Sequence, residues 1–223
     1  DAVLPRPRPR SPFFGEGTLT PELKKAWLEY YRDVAVLAFP APEGEARIAD
    51  LDEKALVYRA PYSSSPGVKP YLPAPAEHPA VPAAQCVARD RIVDLTTKMD
   101  AEGRLVWDVP EGRWTVLRFV RTSTGQNTRP APAPGLGFES DKFDPAALDA
   151  HFEAFVGSLL RAIGPRESPP RAGLTSLHID SWEMGAQNWS GRFAEEFRSR
   201  RGYDPLPFLP AMAGRVVESL EIS

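Results

Sequence analysis

The residues of this chain best suited to chemistry stand together between Asp180 and Trp189, in the segment LTSLHIDSWEMGAQNW that begins at Leu174. Asp180 and Glu183 are carboxylates able to move a proton. Gln187 and Asn188 offer carboxamides to hydroxyl groups, and the indoles of Trp182 and Trp189 offer flat apolar faces to the faces of a sugar ring. The run before them, with Leu174, Leu177 and Ile179 facing inward, reads as a short buried strand that stops at this polar cluster. A strand ending in acids, amides and aromatics and followed by a helix is how the upper rim of a β/α barrel presents its working groups. The segment therefore reads as a carbohydrate-processing site.

Plainer roles stand beside this one. Carboxylates after a strand also cap the next helix or face water, and Trp182 and Trp189 also suit an ordinary core. His178, two residues before Asp180, points to the same side of the strand, into the barrel, where a satisfied core histidine is the simpler role. Gln187 and Asn188 contact sugar or brace Glu183, or else they cap the following helix. Arg200 and Arg201 suit surface ion pairs, and an N-cap role suffices for Asp204.

The elements that must position this segment follow from periodicity and punctuation. Asp144 is an N-cap with Pro145 at the first helical position, and Leu148, Phe152, Phe155, Leu159 and Ile163 recur at helical steps before Gly164. Ser190 opens a helix through Phe193 and Phe197, with Arg198, Arg200 and Arg201 near its negative end before Gly202. Asp204-Pro205-Leu206-Pro207 starts a last helix carrying Leu209, Met212, Val216, Val217 and Leu220.

Upstream, Thr20-Pro21-Glu22 starts a helix through Leu23 and Trp27 that should end near Asp33. Val34–Phe39 reads as a buried strand stopped by Pro40, with Ala55–Arg59 as another and an irregular loop from Pro61 to Pro82. Ile92–Leu95, Leu105–Val109 and Trp114–Val120 read as further strands, the last two joined through Pro110-Glu111-Gly112. The Trp114–Val120 alternation leaves both faces largely apolar, as in a sandwich or a sheet covered by a second layer. The chain thus divides into a proline-rich arm and short helix (1–33), a β-rich sandwich-like unit (34–121), a loop (122–143) and part of a β/α barrel (144–223). The fold class is α+β or α/β. Too few strand-helix units are present for a whole barrel, which predicts a fragment of a larger protein with the rest of its catalytic domain beyond Ser223.

Composition bounds the rest. The 223 residues are 42% hydrophobic, with five Trp and eleven Phe, which suits a globular fold. A net charge of −3 with scattered Lys and Arg marks no phosphate-tracking surface, so nucleic acid is not the expected partner. No run approaches membrane-spanning length, and the N-terminal DAVLPRPRPRSP lacks a signal-peptide core. Cys86, the single cysteine, supplies neither an internal disulfide nor a Cys-rich zinc site.

Three stretches in consistent order, IVDLTTKMDAEGRLVWDVPEGRWTVLRF (92–119), TSTGQNTRPAPAPGLGFESDKFD (122–144) and HIDSWEMGAQNWSGRFAEEFRSRRGYDPLPFLPAMAGRVV (178–217), resemble glycoside hydrolase family 106, the α-L-rhamnosidase family. The resemblance implies an exported or periplasmic enzyme that removes terminal L-rhamnose by inversion. It also implies a β/α barrel decorated by β-sandwich domains, and calcium at the active site. Family members are several times longer than this chain, which puts activity of the chain alone in doubt.

An inverting glycosidase needs an acid to protonate the leaving oxygen and a carboxylate to activate water, roughly 6.5–9.5 Å apart. The resemblance offers Glu183, in a DSWE-type segment, and Glu139, where the family commonly has Gly-Leu-Glu-Cys-Asp-Lys. This chain has Gly-Phe-Glu-Ser-Asp-Lys at 137–142, departing at Ser140 and keeping Glu139, Asp141 and Lys142. Glu183 is the choice for proton transfer. Glu139 is a second acid, a calcium ligand or an acceptor for a sugar hydroxyl, with helix capping and loop bracing as the plain alternative for it and Asp141. Two rivals remain: a glycan-binding module with Trp107 and Trp114 as platforms, and a silent relative retaining the fold as a structural domain.

Overall fold

The computed structural model describes residues 19–54, 77–123, 125, 137–138, 140–164, 176–178 and 189–223. Among these, the centre is a three-stranded antiparallel sheet in the order β2-β1-β3. β1 (Tyr31–Pro40) lies between β2 (Val93–Asp94) and β3 (Trp114–Thr122). Leu37 faces Leu117, Ala38 faces Val116, and a bulge between Asp33 and Ala35 shifts the register toward Tyr31↔Thr122.

β1 is central because its residues from Ala35 to Phe39 are all buried. Alternation sends them to opposite faces. On one face Val36 and Ala38 meet Leu95, with Met99, Leu105, Trp107 and Trp114 around them. On the other, Ala35 and Leu37 meet Leu209, with Phe119, Trp189 and Leu206, while Phe39 meets Val87 and Val217. On this face the sheet is covered by Val87 and Ile92 together with side chains from residues 189–217. The β-rich unit and the C-terminal segment share one core.

Several elements differ from what periodicity predicts. The first helix, α1 (Pro21–Glu29), ends four residues before Asp33. Pairing of Tyr31 and Arg32 with Thr122 and Arg121, and donation by Thr122 Oγ1 to the Tyr30 carbonyl (2.6 Å), draw the chain into the sheet instead. Tertiary pairing outweighs helix propensity there. Leu105–Val109 is not a strand: only the Met99↔Leu105 bridge forms, and Val106 and Val109 face solvent. Trp107 turns inward to meet Trp114 edge-on at 5.1 Å. A short helix, α2 (Leu51–Lys54), follows Asp50; the expected strand at 55–59 and most of the 61–82 loop lie outside the described residues.

The 145–163 helix is present in three parts: α3 (Pro145–Phe152), a π-helical turn (Glu153–Gly157) and α4 (Ser158–Ile163). Asp144 caps it by accepting from the Ala146 N–H, and Gly164 stops it at φ 78°. Across the π turn Arg161 Nη1 meets Glu153 Oε2 at 3.0 Å. The predicted apolar stripe is exposed, from Leu148 to Ile163.

Downstream, α5 (Phe193–Arg201) starts after Ser190, whose carbonyl accepts from the Phe193 N–H, and it closes on Gly202 at φ 77°. The last predicted helix is much shorter. A 3-10 turn (Leu206–Phe208) leads into α6 (Leu209–Met212), and Gly214, at φ 77°, ends it. Val216 and Val217 then pair beside Val87 instead of continuing the helix, and Val217 becomes fully buried. No helix among the described residues is long and apolar enough to cross a membrane.

Candidate functional site

The two segments expected to carry the carboxylates hang from anchors at one end of the sheet. The first anchor is the exit of β3 toward the 122–143 loop. Trp27 of α1, 5% exposed, donates its indole N–H to the Ser123 carbonyl (3.1 Å). Its ring lies against Gly125, where a Cβ would come within 3.0 Å of the indole and φ is +78°, so this position is restricted to glycine. Gly125 N–H also donates to Ser123 Oγ.

The second anchor is the Trp189–Arg192 turn. Trp189 is half-buried against the Ala35, Leu37 and Leu209 cluster and rests on Phe193 with ring centroids 4.6 Å apart. From there the rings of Phe193, Phe197, Tyr203 and Phe208 continue in sequence, the last beneath the Arg89 guanidinium at 5.1 Å. Ser190 is buried.

The anchors meet. A Cβ at Gly191 would stand 3.4 Å from Arg121 Nη2, so the guanidinium at the end of β3 lies against the turn that follows Trp189. The same guanidinium reaches the Tyr30 hydroxyl at 3.4 Å. Arg192 is held above the usual arginine range first by its hydrogen bonds to Glu195, with Glu196 and Asp144 adding smaller attractions. The end of β3 and the 189–192 turn are thus brought together.

The predicted site residues divide accordingly. Glu183, Glu139, Asp180, Trp182, Gln187 and Asn188 lie outside the described residues. Trp189 is partly core, the plainer of its two predicted roles, though only half-buried. Leu177, expected inside a strand, is 51% exposed, and Ser176–His178 form no strand, with His178 exposed as well. Asp141 braces its own loop, as one reading anticipated: its carboxylate accepts from the Phe143 N–H (3.0 Å) and its carbonyl from the Asp144 N–H. Trp107 and Trp114 are packed against the sheet, which leaves the glycan-platform reading of them without support. Arg200 pairs with Glu196 at 3.0 Å, and the Asp204 carboxylate accepts from the Leu206 N–H.

Sequence reasoning missed Trp27, Tyr30 and Arg121. The signal for Arg121 was position: it stands one residue from the end of a strand and directly precedes TSTGQN. Among the described residues no group of three or more His, Cys, Asp or Glu is placed to hold a metal, so no residue is assigned to calcium.

The family described as alpha-L-rhamnosidase, glycoside hydrolase family 106, matches residues 15–223. A "Putative beta-glucuronidase" of Formosa agariphila is 36% identical over 203 residues, covering 91% of this chain. The solved "Structure of Rhamnosidase from Novosphingobium sp. PP1Y" aligns over 79% of this chain with a TM-score of 0.62 and 32% identity. The chain spans 16% of the length of each of these two proteins. With a family match running from residue 15 to the last residue, this chain belongs to glycoside hydrolase family 106, the alpha-L-rhamnosidase family.

Proposed function

We propose that this chain is part of a glycoside hydrolase that releases terminal α-L-rhamnose, or a related deoxy-sugar, from oligo- or polysaccharides. The observation that carries the reading is the family match over residues 15–223, which includes both carboxylate-bearing segments. The meeting of their anchors at Arg121 and Gly191 supports it, because two acids held on separate segments serve one bond only if the segments converge. Glu183 is the proton donor in this proposal and Glu139 the second carboxylate, activating water for inversion. Asp180, Trp182, Gln187, Asn188 and His178 contribute sugar contacts, with Trp189 bracing the turn behind them.

The fold belonging to this reading is part of a β/α barrel next to a β-sandwich-like unit, in an exported protein whose partner is carbohydrate. Calcium enters through the family alone. The test is hydrolysis of a panel of aryl glycosides by the natural full-length protein, with the product anomer followed by NMR. Turnover selective for the α-L-rhamnoside with inverted product supports the reading. Preference for a glucuronide, or retention of configuration, refutes it.

A further inference from the structure

We propose that Arg47 and Arg215 form an anion-binding site, in which two guanidinium groups share one oxyanion group, a free ion such as sulfate or a side-chain carboxylate from elsewhere in the full-length protein. The inference does not depend on which glycoside the protein cleaves.

The backbone sets the two side chains beside each other. Gly214 turns at φ 77°, and the chain then runs between two neighbours: Arg215 bridges antiparallel to Arg47, and Val217 bridges parallel to Val87. The Ile48 N–H donates to the Gly214 carbonyl (3.0 Å), beside the Arg47–Arg215 pair and not between its members. Opposite residues of this kind, with no hydrogen bond joining them, carry their side chains on one face and closest together. The frame is firm: Val216 and Val217 are buried, and the Arg215 N–H donates to the Pro210 carbonyl (3.0 Å). The Arg47 stem lies over Gly214 beside Leu51, since a Cβ at Gly214 would stand 3.5 Å from Leu51 Cδ2 and 3.9 Å from Arg47 Cδ. Arg215 is half-buried and Arg47 exposed, so the pair is reachable from outside.

What the pair lacks is an acid. Arg89, Arg118, Arg161, Arg192, Arg198 and Arg200 each sit within 4 Å of a carboxylate. Arg47 and Arg215 form no ion pair with an Asp or Glu among the described residues. Arg47 gives one N–H to the Ala46 carbonyl (2.8 Å), which leaves most of its donors unused. Burial first, and then the Arg47 charge, hold Arg215 below the usual arginine range, as a cation facing a cation must be. Like charges directly opposite one another destabilise a strand pair. An oxyanion between the two guanidinium forks removes that cost, and its oxygens match the forks in geometry. The relatives compared above are long enough to supply a carboxylate of their own, because this chain spans 16% of each.

The experiment is hydrogen exchange read by mass spectrometry on the natural full-length protein, followed in the peptide spanning 214–217. It is run in chloride and with sodium sulfate at matched ionic strength, on the wild type, Arg47→Met, Arg47→Lys and Arg47→Met/Arg215→Met. Methionine keeps an unbranched stem and removes the charge. If a built-in carboxylate holds the pair, Arg47→Met in chloride should speed exchange by about ten-fold and Arg47→Lys by less. If a free ion holds it, millimolar sulfate should slow exchange in the wild type by a similar factor and saturably. That slowing should be missing in the double variant and in a control peptide from β1, which report the general effect of sulfate on stability. Unchanged or slower exchange in Arg47→Met in chloride, with sulfate acting equally on wild type and double variant, overturns the proposal, because the two arginines then only repel. Equal acceleration by Met and Lys overturns the carboxylate arm, and with no sulfate arm left the proposal falls.

Discussion

Leu37→Ala tests whether the sheet and the C-terminal segment are one cooperative core. Leu37 is 1% exposed on the central strand, on the face shared with Leu209, Phe119 and Trp189. Truncation removes side-chain carbons that are fully withdrawn from water, a loss of about 2–3 kcal/mol in transfer terms alone. A cavity term adds to this, because a central strand paired on both sides and a bulky indole collapse poorly into the gap. The sum falls at about 3–5 kcal/mol, the upper part of the range for buried leucines. Leu209→Ala, at 3% exposure, should cost a similar amount. Because the two sites adjoin in one cluster, the double variant should depart from additivity by about 0.5 kcal/mol or more. Equilibrium urea denaturation followed by tryptophan fluorescence and by far-UV circular dichroism measures all three. A loss below about 1 kcal/mol for Leu37→Ala, or strict additivity with two separate transitions, would refute the shared core.

Other expectations follow from single interactions. The Asp33 carboxylate receives Arg118 through two contacts, 2.7 and 3.1 Å, but both side chains are about a third exposed; Asp33→Asn should cost about 0.5–1 kcal/mol, less at high salt, in the same denaturation assay. Glu195 is held below the usual carboxylate range chiefly by its hydrogen bonds to Arg192. Its stabilising contribution is thus present above the unfolded-state value and lost as pH falls through the lowered one, and Arg192→Gln should move the Glu195 carboxyl titration upward by NMR. Gly202→Ala introduces a Cβ into open space, so its cost should be backbone strain alone, about 1–2 kcal/mol, whereas Gly125→Ala adds a clash with Trp27 and should cost more.

Local signals written in single residues were legible in the sequence. Asp144, Gly164 and Gly202 mark the helix ends where they occur, and the run from Val34 to Phe39 is the buried centre of the sheet. What was not legible depended on partners distant in sequence. Tyr31–Asp33 is strand because Val120–Thr122 lies beside it, and Val216–Val217 leaves the helical pattern because Val87 offers an edge. Leu105–Val109 has strand-forming residues but no strand to pair with, so only its inward Leu105 and Trp107 find the core. At the candidate site, composition pointed to sugar chemistry in 180–189, while Arg121 and Tyr30 become visible only when β3 is seen to end against Gly191.

The most direct test of the account is kcat/KM for an aryl α-L-rhamnoside with the natural full-length protein, wild type against Glu183→Gln, each shown to be folded by its denaturation curve. The account predicts measurable rhamnoside turnover in the wild type and a loss of at least about 100-fold in Glu183→Gln, the scale of removing a general acid. A folded Glu183→Gln protein that retains wild-type turnover, or a folded wild type that leaves the rhamnoside untouched, would contradict it.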